Sequence, residues 1–192
     1  MRIGIARSSA NAADVCGDLA GAWTDEAGND LLAIADGLGH GRDAAAAAGA
    51  AITYIGQHRG QDLTSLFDGL AAALAQTRGA AVGVARIDRQ LGRLSYAALG
   101  NTRAAVFGWQ AVRLDSTPGI VGRRPGRLSV IEQPIRPGSR LVLWTDGVEE
   151  RLSIPPGQPP VEDPDAFAQS LLQRYRKGDD DACVLVARLE AG

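Results

Sequence analysis

The chain has 192 residues, 45% hydrophobic and 22% charged, with two cysteines and a net charge of −2 at neutral pH. That length supports one well-buried domain and is short for two, so a single domain over residues 1–192 is expected, without an attached sensor domain. The charge balance argues against a nucleic-acid or anionic-membrane partner, and no apolar run is long enough to span a bilayer.

Residues 2–7 read as a strand that begins immediately after Met1, without the layout of a signal peptide, so a cytoplasmic protein is expected. A loop of small residues leads to Gly17-Asp18. Residues 19–23 and 31–35 form a candidate strand pair across the polar turn 25–30. The alanine-rich stretch 42–57 has high helix propensity. A second helix is expected over 63–77, where Leu63, Leu66, Phe67, Leu70 and Leu74 fall on one helical face.

The pattern then turns to short β-like runs at 81–87, 91–99, 103–109 and 111–114, separated by Asp88-Arg89-Gln90, Gly100-Asn101-Thr102 and Gly108. Residues 129–133 and 140–145 continue the series across Pro137-Gly138. The proline-rich 153–164 is expected to be irregular, 165–175 helical, and 182–189 a closing strand. The elements do not alternate as βαβ units, which indicates an α+β fold with mainly antiparallel sheets. Residues 141–145 are apolar at nearly every position and need cover on both faces, which two stacked sheets with helices outside would give.

The chemistry-bearing feature is a device used twice. Leu31 to Ala35 runs into Asp36-Gly37, and Leu141 to Thr145 runs into Asp146-Gly147. Each reads as a buried strand delivering a carboxylate to its end, with a glycine that lets the backbone turn sharply behind it. Asp18 follows Gly17, and Asp179-Asp180-Asp181 precede the last strand. Met singly, such acids are turn or cap residues. Gathered together they need positive charge, and divalent ions with oxygen ligands would supply it. His40 and His58 are too few for a histidine-rich dimetal site.

Other chemistries fit poorly. A cysteine phosphatase needs an arginine six positions after its nucleophile, where Cys16 and Cys183 have Ala22 and Leu189. Both cysteines lie near acids, which raise a thiol pKa, so each reads as a small apolar residue. The acids at 179–181 precede a C-terminal strand, whereas an aspartyl-phosphate mechanism wants Asp-x-Asp after an N-terminal one. Gly37-Leu38-Gly39-His40-Gly41 begins like a dinucleotide loop, but its third glycine would fall on Arg42.

The order of the motifs resembles the PPM (PP2C-like) metal-dependent serine/threonine phosphatases, in the bacterial SpoIIE/RsbU/RsbX branch. The residues that carry this are Asp14-Val15-Cys16-Gly17-Asp18, Ile34-Ala35-Asp36-Gly37-Leu38-Gly39-His40-Gly41, the hairpin from Leu99 to Val106, the stretch from Arg136 through Thr145-Asp146-Gly147-Val148-Glu149-Glu150, and Asp180-Asp181-Ala182-Cys183-Val184.

The resemblance implies a four-layer α-β-β-α sandwich with a two-metal centre, Mn²⁺ or Mg²⁺, between the sheets. By position, Asp36 would bridge the ions, the Gly37 carbonyl would bind one, and Asp18, Asp146 and Asp180 would complete the set. A metal-bridging hydroxide would attack the phosphoserine or phosphothreonine. His40, displaced by two from the family's proposed acid, is a candidate for proton transfer; Arg7 is a candidate phosphate ligand without a motif.

A free-standing domain of this kind is most similar to RsbX-type stressosome phosphatases. Its implied substrates are phosphorylated STAS-domain proteins of the RsbS and RsbR type, and a monomer is expected. The alternatives are a phosphatase for a phosphorylated anti-anti-sigma factor, a phosphoprotein-binding pseudophosphatase, and an enzyme for a small phosphoester or nucleotide.

Overall fold

The computed structural model describes residues 1–11, 15–123, 127–156 and 163–189, and in them ten strands and three helices. One sheet has the order β1 (Arg2–Ser8), β10 (Ala182–Arg188), β9 (Arg140–Trp144), β6 (Arg103–Phe107), β7 (Ala111–Leu114). The other has the order β2 (Asp18–Thr24), β3 (Asp30–Gly37), β4 (Ala80–Asp88), β5 (Arg93–Leu99), β8 (Val130–Pro134). All neighbouring strands pair antiparallel.

The two-residue period of a strand explains why the apolar runs are continuous. In β3, Leu32 and Ile34 face the other sheet, while Leu31, Ala33 and Ala35 face helices. In β9, Leu141 and Leu143 join the inter-sheet core, and Val142 and Trp144 join an outer one. Strand β10 divides likewise, with Cys183 and Leu185 inward and Val184 and Val186 outward. Three cores therefore separate four layers, helices outside and sheets within, as expected.

Helices α1 (Gly41–Gln57) and α2 (Leu63–Ala73) cover the β3 side, and α3 (Pro164–Tyr175) covers the other. The apolar stripe of α2, Leu63, Leu66, Phe67 and Leu70, is buried. Each such side chain contributes about 1.5–3 kcal/mol. Asp62 caps this helix by accepting from Thr64 N at 3.0 Å and Ser65 N at 3.1 Å. Asp163 caps α3 in the same way, with proline in the first turn.

The second helix ends at Ala73, short of the expected 77. The Thr77 amide and hydroxyl both donate to the Leu74 carbonyl, at 2.9 and 2.8 Å, and close a turn there. Strand β5 likewise starts at Arg93 because Gly92 takes a left-handed φ of 61°. Residues 157–162 of the irregular stretch, and Asp14 of the first motif, lie outside the described residues. Among the described residues no helix is long and apolar enough to cross a membrane.

Candidate active site

Antiparallel pairing of β2 with β3 sets Asp18 directly opposite Asp36. The other sheet contributes Asp146, after β9, and Asp180, just before β10. The two halves are stitched together by Asp181, whose carboxylate accepts from Gly17 N at 2.7 Å and Ala10 N at 2.8 Å. Thr145 fixes the approach to Asp146: its amide donates to the Cys183 carbonyl at 3.1 Å, and its hydroxyl accepts from Cys183 N at 2.9 Å. Asp36, Asp146 and Asp180 then line one cavity of about 690 Å³, along with His40, Asn101 and Ser116. Asp18 lies beneath, 2% exposed.

The glycine of each Asp-Gly pair has a different task from the expected one. Neither Gly37 nor Gly147 has a positive φ. Both are sites of close approach. A Cβ on Gly37 would stand 1.9 Å from the Ala44 carbonyl oxygen, and one on Gly147 would stand 1.9 Å from that of Asp181. The missing side chains let the backbones of α1 and of the β10 lead-in pass directly behind the two carboxylates.

No lysine or arginine among the described residues lines this cavity. Burial, followed by the charges of Asp18, Asp146 and Asp180, pushes Asp36 up from 3.8 to about 8. Burial likewise raises Asp18 to about 7; the Thr145 hydroxyl opposes this, and Asp181, Asp146 and Asp180 reinforce it. Burial is also the main cause of the upward shift at Asp180. Asp18 Oδ2 is buried without a hydrogen-bond partner.

An orphaned carboxylate oxygen below three crowded acids is a donor set that hard divalent cations fit. Among the described residues, however, no three His, Cys, Asp or Glu side chains are assembled tightly enough to hold an ion as they stand. The acids ring the cavity without closing into a finished cage.

The structure separates neighbours that the sequence leaves equivalent. Asp180 faces the cavity, while Asp181 is consumed by backbone amides. His40 lines the cavity from the N-cap position of α1 and makes no side-chain capping bond. Arg7 lies on β1 opposite Cys183, outside the cavity lining. Burial raises both cysteine pKa values, against a thiolate nucleophile. Sequence reasoning missed Asn101, whose Nδ2 donates to Asp146 Oδ2 at 2.7 Å; it was read only as part of a hairpin turn.

Comparison with known proteins gives a consistent result. The family model for stage II sporulation protein E (SpoIIE) matches residues 26–190. Phosphoserine phosphatase RsbX of Bacillus subtilis (strain 168) is 24% identical over 137 residues, 70% of this chain and 68% of that protein. A chain solved in work on the bacterial stressosome, as a modular system adapted to control secondary messenger signalling, superposes with a TM-score of 0.87 at 28% identity, covering 97% of this chain and 98% of that one. RsbX in complex with magnesium superposes at 0.80 with 20% identity, covering 97% and 94%. The PP2C phosphatase domain of Bacillus subtilis SpoIIE has the same fold.

Proposed function

We propose that this chain, which belongs to the SpoIIE family and is a protein serine/threonine phosphatase of PP2C type, removes phosphate from phosphorylated STAS-domain proteins of a stressosome. The observation that carries the reading is the set of four acids at one end of the sandwich, with a buried oxygen of Asp18 left unpartnered and, among the described residues, no lysine or arginine lining the cavity. In this reading Asp18, Asp36, Asp146, Asp180 and the Gly37 carbonyl would hold a pair of divalent ions, Mn²⁺ or Mg²⁺. The magnesium complex of RsbX supports the choice of metal. Such ions, when bound, supply activation of water and neutralisation of phosphoryl charge.

The chain's own residues do the rest. Asp36 pairs in register with Asp18 and feels the charge of Asp146, which supports its assignment as the acid shared by both sides. Asn101 holds the Asp146 carboxylate at a fixed angle through its amide. His40 makes no side-chain capping bond and lines the cavity, which supports a role in giving a proton to the departing seryl or threonyl oxygen. The stressosome assignment of the substrate is supported by the likeness to RsbX and to the chain from stressosome work. The reading includes a cytoplasmic setting for the enzyme.

The test is phosphate release from a phosphorylated STAS-domain protein with and without Mn²⁺. Metal-dependent release, abolished by Asp36→Asn or Asp146→Asn, is expected. Undiminished release in excess chelator would overturn the assignment.

A further inference from the structure

A second cavity, of about 590 Å³, opens beside the first and shares Asn101 and Ser116 with it. Its character is opposite. Arg103 at the start of β6, Arg113 in β7 and Arg151 in the loop beyond Asp146 all line it. We propose that these three arginines form a docking groove for an acidic segment of the phosphoprotein substrate, next to the phosphorylated residue. The proposal rests on the phosphatase reading of the neighbouring cavity and names the substrate chemistry that goes with it.

Three observations carry it. Among the described residues none of the three arginines makes an ion pair, whereas Arg78, Arg86, Arg89 and Arg93 each have a carboxylate. Asp115 and Glu150 also border the groove, yet neither pairs with an arginine, so guanidinium donors remain in excess.

Arg113 is also held in place before any ligand arrives. Its Nη2 donates to the Leu152 carbonyl at 2.9 Å, and its guanidinium lies 5.1 Å from the centre of the Trp144 ring. That fixes the plane and leaves further N–H groups available for a carboxylate. Arg103 is steered more weakly, by a 3.5 Å contact with the Asn101 carbonyl.

Continuity with the acid-lined cavity decides which anion the groove takes. A phosphoserine inserted beside Asp36 and Asp146 must lead its neighbouring residues past Asn101 and Ser116. Those neighbours meet guanidinium groups, and aspartate or glutamate side chains complement them. The phosphoryl group stays in the cavity where the reaction occurs, so the groove reads the flanking sequence.

The experiment compares binding of two labelled phosphoserine peptides by fluorescence anisotropy, identical except for Asp/Glu or Asn/Gln flanks. The protein is compared with Arg113→Gln, Arg151→Gln and the double variant. Arg151 is exposed, so its variant guards against misfolding, and a thermal melt checks both. The wild type is expected to prefer the acidic peptide roughly tenfold, and the double variant about twofold or less. The preference should also shrink in high salt. Equal binding of both peptides by the wild type, or an unchanged preference in the variants, would overturn the proposal. Phosphate release from the same peptides with Mn²⁺ is followed in parallel. No release from either refutes the phosphatase reading, while the binding ratio alone decides the groove.

Discussion

Replacing Asp36 by asparagine is expected to disable the enzyme and, without metal, to stabilise its fold. In the folded chain the carboxyl is raised from 3.8 to about 8, chiefly by burial and then by the charges of Asp18, Asp146 and Asp180. An unfolded chain releases this proton near pH 4. Between those two values the folded state keeps a proton that the unfolded state has lost, so stability falls as pH rises through the window. At about 1.36 kcal/mol per pH unit the ceiling is roughly 6 kcal/mol. The repulsion is shared with Asp18 and Asp146, and Asp36 retains some solvent contact, so about 2 kcal/mol is the expected effect at pH 8.5.

For a chain of this size that corresponds to a rise in Tm of roughly 4–8 °C for Asp36→Asn in chelator. The gain should vanish near pH 4. Excess Mn²⁺ should reverse the order, since a ligand at a hundred times its Kd stabilises by about 2.7 kcal/mol and the variant has lost a ligating oxygen. Scanning calorimetry in chelator at several pH values, and again with Mn²⁺, reads all three effects. If Asp36→Asn melts no higher than wild type in chelator at alkaline pH, or if the wild type gains stability between pH 5 and 8, the account of an uncompensated acidic cluster is refuted.

Asn101→Ala removes the 2.7 Å hydrogen bond that Asn101 Nδ2 donates to Asp146 Oδ2; turnover should fall about tenfold while the urea midpoint barely moves, since one charge-assisted hydrogen bond is at stake. Gly147→Ala puts a methyl 1.9 Å from the Asp181 carbonyl oxygen, so chemical denaturation should show a loss of about 3 kcal/mol or more. His40→Asn should lower kcat with little change in KM; an unaltered kcat would remove His40 from proton transfer.

Most of the fold was legible because its signals are local. The period of α2 and the double-faced apolar runs of β3 and β9 each dictate one element and the cover it needs. The four acids were legible as carboxylates at the ends of apolar segments, Asp36 and Asp146 closing theirs and Asp18 and Asp180 preceding theirs. Their mutual distance was not, because the Asp18–Asp36 register depends on a hairpin turn, and the approach of Asp146 depends on β9 pairing with β10 from far along the chain. Asn101 escaped for the same reason: a hairpin-tip asparagine has a local explanation that hides its partner, 45 residues away. The role of Gly37 and Gly147 was misread because a sequence reveals a glycine's freedom but not the backbone lying against it.

Each sheet supplies two of the four acids, and that ties their spacing to the closure of the sandwich. Asp18 and Asp36 belong to the sheet packed under α1 and α2, Asp146 and Asp180 to the sheet packed under α3. Between them lie Leu32 and Ile34 of β3 facing Leu143 of β9 and Leu185 of β10, and this inter-sheet core sets the spacing of the carboxylates. Asp181 bridges the same gap with two hydrogen bonds to the loop before β2. A cavity cut into that core, as by Leu143→Ala, costs about 2–5 kcal/mol in stability, and it also loosens the distance between two pairs of acids that repel one another. The repulsion pushes outward against the inter-sheet packing, and divalent ions would pull inward. Metal binding by these acids would therefore be coupled to sheet closure, while without metal the protons that burial keeps on Asp36 and Asp18 ease the repulsion at the end of the apolar core.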